Sequence, residues 1–145
     1  MVPEFKLQDQ NGNTFHSSDL IGKKPLVIYF YPKDYTPGCT KQACDFRDNY
    51  TGFTELGAEV IGISSDSNKM HRKFASTYRL PFLLLSDSNK KVRKLFGVQN
   101  RLFNLLPGRE TFVIDKEGKV ILVFNGLDAK QHMKKALKAL KQSNV

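Results

Sequence analysis

The chain contains no tryptophan and only two cysteines, Cys39 and Cys44, in 145 residues. Two cysteines are too few for a disulfide framework, and a zinc site built from cysteine alone needs four. The pair is therefore structural, redox-active or incidental. Long apolar runs are missing as well. Segments such as Leu26–Tyr31 and Phe82–Leu85 are far too short to span a bilayer. The N-terminal stretch MVPEFKLQDQ carries no apolar signal core and no Arg/Ser-rich transit pattern, which reads as a mature, soluble, cytoplasmic protein. Repeats, linkers and low-complexity stretches are absent too, and 145 residues suit a single domain, 1–145. Acid is scarce: 14 Asp plus Glu stand against 23 Lys plus Arg, a net charge of +9. Such a balance raises the question of nucleic acid or an anionic surface. The lysines are scattered, however, and the densest group, Lys134, Lys135, Lys138 and Lys141, shares a segment with Met133, Ala136, Leu137 and Leu140 at helical spacing. These lysines read as the solvated face of an amphipathic helix. No nucleic-acid partner and no membrane contact are expected.

Phe5–Leu7 and the turn at Asn11-Gly12-Asn13 suggest an N-terminal hairpin, and Ser17 or Ser18 a cap for a brief helical turn. Leu26–Tyr31 is continuously apolar, as a strand buried on both faces of a parallel sheet should be. A helix is predicted from Thr36, with Pro37 at its first position, to about Leu56, where Gly57 stops it. A strand over Glu59–Ser64, a helix from Ser67 or Asn68 to Tyr78, a strand over Phe82–Leu85 and a short helix over Asn89–Phe96 follow. Arg101–Gly108 reads as irregular and apolar. A hairpin over Thr111–Asp115 and Val120–Phe124, then a helix from Asp128 to Gln142, complete the chain. The order predicts an α/β fold with a central mixed sheet, helices on both faces and an N-terminal β-hairpin.

With Thr36 as N-cap, Cys39 occupies the third helical position. Unpaired backbone N–H groups and the positive end of the helix dipole meet there, and both favour thiolate over thiol. The site also follows a core strand by one loop, at the sheet edge where open α/β sheets place their active sites. Cys44 lies five residues further on the same helix. Ideal helix geometry puts their Cα atoms about 8.6 Å apart, whereas a disulfide needs about 7 Å or less. The pair bonds only if the first turn unwinds. A reactive thiolate with a second thiol reachable after local unfolding suits a two-step oxidation, through sulfenic acid to disulfide. Alone, Cys44 also fits a plain core residue.

Pro32-x-x-x-Thr36-x-x-Cys39 resembles the active-site motif of peroxiredoxins, and PKDYTPGCTKQACDFRD resembles that of the bacterioferritin-comigratory, or peroxiredoxin Q, subfamily. Weaker matches follow in family order: Val60–Ser64, Leu80–Phe82 with Leu84–Asp87, Phe96–Val98 and Arg109–Asp115. The resemblance implies a thioredoxin-like fold and a thiol-dependent peroxidase acting on hydrogen peroxide and organic hydroperoxides. It implies that Cys39 is the peroxidatic cysteine, that Thr36 hydrogen-bonds peroxide and thiolate, and that Pro32 shields the pocket. Arg109 would stabilise thiolate and transition-state charge, and Cys44 would resolve the sulfenic acid as an intrachain disulfide. Thioredoxin or a similar dithiol would recycle the enzyme, and no metal, haem, flavin or other cofactor is implied. Arg47 and Asp48 read as a surface ion pair, and His16, His71 and His132 lie outside every motif.

One segment departs from the subfamily. Between Val98 and Arg109, where many members carry a polar stretch, stand Leu102, Phe103, Leu105 and Leu106. They either pack on the core, line a more apolar pocket rim or pair two copies weakly; a monomer is otherwise expected. Other readings remain beside the peroxidase. A thiol–disulfide reductase would want Cys-x-x-Cys, a redox sensor would use the same two thiols, and a basic anion-binding module would rest on the charge alone.

Overall fold

The structure, a computed structural model, describes residues 2–97, 100–101, 106–107, 109–125 and 129–143. Lys6–Asp9 (β1) and Thr14–His16 (β2) pair antiparallel as the predicted hairpin. Its turn is held by the Asp9 carboxylate, which accepts the backbone N–H groups of Asn11 and Asn13 at 2.8 and 3.0 Å. Ser17–Asp19 form a 3-10 turn, but Ser17 does not cap it. Its hydroxyl instead accepts the N–H of Phe5 at 2.8 Å and ties the turn to the N-terminal segment.

Leu26–Phe30 (β3) is buried at every position, as a strand covered on both faces must be. Pro37–Asp48 (α1) and Tyr50–Glu55 (α2) follow as two helices, where the sequence predicts one. The break falls at Asn49, whose side-chain Nδ2 donates to the carbonyl of Asp45 at 2.9 Å. That bond turns a short polar side chain against the helical ladder. Glu59–Ser64 (β4) leads to Asn68–Tyr78 (α3), which is capped as predicted: the Ser67 hydroxyl accepts the N–H of Met70 at 3.2 Å. Leu83–Ser86 (β5), Lys91–Leu95 (α4), the two-residue pair Asn100–Arg101 (β6) and Leu106–Pro107 (β7), Glu110–Ile114 (β8), Val120–Asn125 (β9) and Ala129–Ser143 (α5) complete the order. Leu102, Phe103 and Leu105 and the side chain of Leu106 lie outside the described residues.

Seven strands form one sheet in the order β2-β1-β5-β4-β3-β8-β9. The centre, β5-β4-β3, is parallel; β1 joins β5, and β8 joins β3, antiparallel. Alternate residues divide the core. Val27, Tyr29 and Tyr31 pack with Phe46, Phe53, Phe74, Ala136 and Leu140 from α1, α2, α3 and α5. Leu26, Ile28 and Phe30 pack on the opposite face with Phe5, Val92 and Phe112. The mixed sheet thus carries helices on both faces. On α5, Met133, Ala136 and Leu140 are buried while Lys134, Lys135, Lys138 and Lys141 are exposed, the solvated face expected of them. No helix among the described residues is long and apolar enough to cross a membrane.

Candidate active site

β3 ends at Phe30, and the chain turns through residues 31–36 at the carboxyl edge of the parallel strands. Thr36 has extended backbone (φ −76°, ψ 149°), Pro37 opens α1, and the N–H of Thr40 closes the first helical bond on the carbonyl of Thr36 at 2.8 Å. Cys39 therefore sits at the third helical position, as predicted, and is 1% exposed. Thr36 is the N-cap by backbone only. Its hydroxyl makes no cap bond and instead donates to the carbonyl of Lys33 at 2.8 Å. The expected capping side chain is thus engaged in the loop, and its oxygen lone pairs remain as acceptors. Pro32 is half-buried, at the start of the same loop.

Arg109 arrives from the strand beside β3. β8 runs antiparallel to β3 with Glu110 opposite Phe30, so the residue just before β8 lies at the same edge as the loop. Its side chain is buried, and Nη2 donates to the sulfur of Cys39 at 3.4 Å. Nη1 donates to Oε1 of Gln42, which is fully buried one helical turn beyond Cys39. Gly38 makes room for this approach: a Cβ there would lie 2.8 Å from Arg109 Nη2. Gln42 and Gly38 carry no role in the sequence reading. The only signal for Gln42 was its i+3 spacing, which puts it on the helix face of Cys39.

Cys44 is half-buried, and both cysteines are free thiols. Burial pushes the Cys44 thiol up from its ordinary value; Arg47 opposes this, and the charges of Asp48 and Asp45 add to it. Both residues lie in the uninterrupted α1, so the helical separation that forbids a direct disulfide applies. Arg47 and Asp48 form the expected surface ion pair at 2.9 Å. Arg47 additionally donates to the carbonyl of Tyr78 at 2.9 Å, which ties α1 to the end of α3.

Behind the loop lies a polar cluster that the sequence did not reveal. Asp34 and His71 are buried and meet at 2.6 Å. Arg93, also buried, donates to the carbonyl of Tyr31 at 3.3 Å. Burial pulls the Arg93 guanidinium down from its ordinary value, and the facing charges of Asp87, Glu110 and Cys39 oppose that. His132 is likewise buried, with Nδ1 2.7 Å from the hydroxyl of Thr111.

The family described as AhpC/TSA matches residues 1–123 of this chain. A protein named Peroxiredoxin Q, chloroplastic, from Sedum lineare is 55% identical over 139 residues, which cover 95% of this chain and 74% of that protein. Its namesake from Arabidopsis thaliana is 54% identical over 141 residues, covering 97% and 65%. The chain thus spans roughly two thirds to three quarters of the length of these relatives. Among solved structures, the peroxidoxin BcpB of Mycobacterium tuberculosis superposes with a TM-score of 0.89 at 41% identity, covering 97% of this chain and 94% of that one. A bacterioferritin comigratory protein of Xanthomonas campestris, described for its alkyl peroxide reduction activity, gives 0.88 at 31% identity, covering 97% and 92%. The fold is therefore thioredoxin-like. The reading of a cytoplasmic protein is overturned: the relatives from Sedum, Populus, Triticum and Arabidopsis are all named as chloroplastic proteins. The composition of a folded domain carries no compartment address, so that reading has no footing in these residues.

Proposed function

The chain belongs to the AhpC/TSA family, in its peroxiredoxin Q branch of thiol-dependent peroxidases, and from that premise we propose that Cys39 is the residue oxidised by peroxide and Cys44 the one that resolves it. The observation that carries this reading is the 3.4 Å contact between Arg109 Nη2 and the Cys39 sulfur, inside a buried site at the start of α1.

The Cys39 thiolate attacks one peroxide oxygen. The sulfur–oxygen bond forms as the oxygen–oxygen bond breaks, the sulfur is oxidised to sulfenic acid, and the departing alkoxide or hydroxide takes up a proton. Negative charge spreads from sulfur onto two oxygens during this step. Arg109 stands beside that charge with its orientation fixed by Gln42, which is how preorganised donors lower such barriers. Thr36, whose own proton is held by the Lys33 carbonyl, accepts the hydroxyl proton of an incoming hydroperoxide in a hydrogen bond. Pro32 narrows the loop around the sulfur.

Resolution follows. The first turn of α1 unwinds, the Cys44 sulfur attacks the Cys39 sulfur, and the oxygen leaves as water while the disulfide forms. A thioredoxin-type dithiol then reduces the disulfide by exchange. Hydrogen peroxide and organic hydroperoxides are the substrates, and alkyl peroxide reduction by the Xanthomonas relative supports the latter. The working unit is a monomer in which residues 1–145 act as one domain. Cys39→Ser abolishes peroxide turnover in this account; a Cys39→Ser protein that still turns over with thioredoxin rules it out.

A further inference from the structure

Asp34 lies in the loop before Cys39 and is 3% exposed. A carboxylate buried in a loop requires partners, and this one has two, with a third bond from its own backbone. The Tyr31 phenol donates to Asp34 Oδ1 at 2.6 Å, and His71 Nδ1 lies 2.6 Å from Oδ2. The backbone N–H of Asp34 donates to Asp66 Oδ2 at 2.7 Å, an oxygen that also accepts the hydroxyl of Ser64 at 2.7 Å. One loop residue is thereby tied to the end of β3, to the end of β4 and to α3. His71 is fully buried, and its Nε2 faces the carbonyl oxygen of Leu85 at 3.0 Å. A carbonyl only accepts, so Nε2 carries a proton, and Nδ1 shares one with Asp34. Burial, and then the charge of Asp34, push the Tyr31 phenol well above its ordinary value, so it remains a donor.

The next residue makes this anchoring consequential. Tyr35 has φ +66°, in the left-handed region that strains a residue with a side chain. Its ring meets Phe74 of α3 edge-on at 5.1 Å, and its hydroxyl lies 3.0 Å from Thr77 Oγ1. The strained backbone at Tyr35 is thus held from both sides, by Asp34 before it and by its own side chain on α3, directly ahead of Thr36 and α1.

We propose that Tyr31, Asp34 and His71 form a positioning triad that acts through the loop backbone and holds Thr36 and the first turn of α1 where the Cys39 sulfur can meet peroxide. None of the three touches the reacting atoms. The inference rests on the peroxidase reading above.

The test compares, by stopped flow on reduced protein, the rate of Cys39 with hydrogen peroxide and its alkylation by iodoacetamide, which needs the sulfur but not the peroxide geometry. In His71→Asn the side-chain Nδ2 can donate to Asp34 in place of Nδ1. In His71→Gln the longer amide reaches toward Leu85 instead. His71→Gln slows the peroxide reaction about tenfold or more, as a buried carboxylate that loses one of its two donors implies. His71→Asn regains most of the rate, and alkylation falls in neither variant. Tyr31→Phe keeps the ring and hence the packing, and loses about three- to tenfold of the peroxide rate for one missing hydrogen bond. Equal slowing by the Asn and Gln variants overturns the triad, as does alkylation falling in step with the peroxide reaction or an unchanged Tyr31→Phe rate. If the His71 variants do not fold, Tyr31→Phe decides alone. A wild-type protein inert to peroxide removes the peroxidase reading and the triad together, whereas a reactive wild type with unaltered variants removes only the triad.

Discussion

The guanidinium of Arg109 occupies the space where a side chain on Gly38 would begin, with 2.8 Å between Arg109 Nη2 and the position of a Gly38 Cβ. The glycine just before Cys39 is thus part of the site because it lacks atoms. Gly38→Ala pushes Arg109 off the sulfur while leaving α1 intact, since alanine is the better helix former. Overpacking of this kind costs about 1–3 kcal/mol. The second-order rate with hydrogen peroxide should fall about tenfold or more, with no loss of melting temperature beyond a few degrees. A variant as fast as wild type contradicts the tight approach.

Arg109 spends one nitrogen on Cys39 and another on Gln42. Lysine presents a single ammonium and cannot reproduce that fork. Arg109→Lys should therefore cost about 10²–10³ in peroxide rate, the magnitude of a lost transition-state donor. Gln42→Met, which preserves length and removes the acceptor, should cost less than Arg109→Lys. Steady-state turnover with saturating reductant separates the two. A Gln42→Met penalty larger than that of Arg109→Lys would show that Gln42 does more than orient the arginine.

Part of this site was legible in the sequence because it is local. Thr36-Pro37-Gly38-Cys39 writes a helix start into four consecutive residues, and the sulfur stands where that start predicts. Ser67 announced α3 in the same way. The α1–α2 break was missed because it depends on one side chain, Asn49, reaching the carbonyl of Asp45. The contacts of Arg109 with Gly38 and Gln42, and of His71 with Asp34, pair residues far apart in the chain. They become visible only when the sheet brings β8 and α3 to the end of β3. The hydroxyl of Thr36 shows the converse: its position was readable, but its hydrogen bond to Lys33 was not.

Burial raises the Cys44 thiol while Arg47 opposes the rise. Its alkylation by iodoacetamide, followed in a Cys39→Ser background, should therefore need higher pH than a free cysteine, whose ordinary value is about 8.5. Removing the opposing cation with Arg47→Ala should move the midpoint further up. The folded state holds this proton longer than the unfolded chain, so its contribution to stability is present below the unfolded thiol's value and is lost as pH rises through the folded one. A midpoint at or below that of a free cysteine contradicts the assignment.

Ser67 caps α3, the helix that carries His71, through its bond to Met70 N at 3.2 Å. Ser67→Ala should lower stability by about 1 kcal/mol, read as a shifted denaturant midpoint. The peroxide rate should change little, because the bonds of His71 to Asp34 and Leu85 are made by its ring, and its backbone bond to the Ser67 carbonyl at 2.9 Å does not need the Ser67 hydroxyl. A large loss of rate with little loss of stability would tie the cap itself to the chemistry.

The central claim is that Cys39 and Cys44 act in sequence within one chain, although α1 holds them apart. One equivalent of hydrogen peroxide added to reduced protein, followed by free-thiol counting and peptide mass mapping, tests it most directly. The account predicts rapid loss of both thiols and a Cys39–Cys44 linkage within one molecule. Two thiols that survive the peroxide, or loss of Cys39 alone with Cys44 still free, would contradict it.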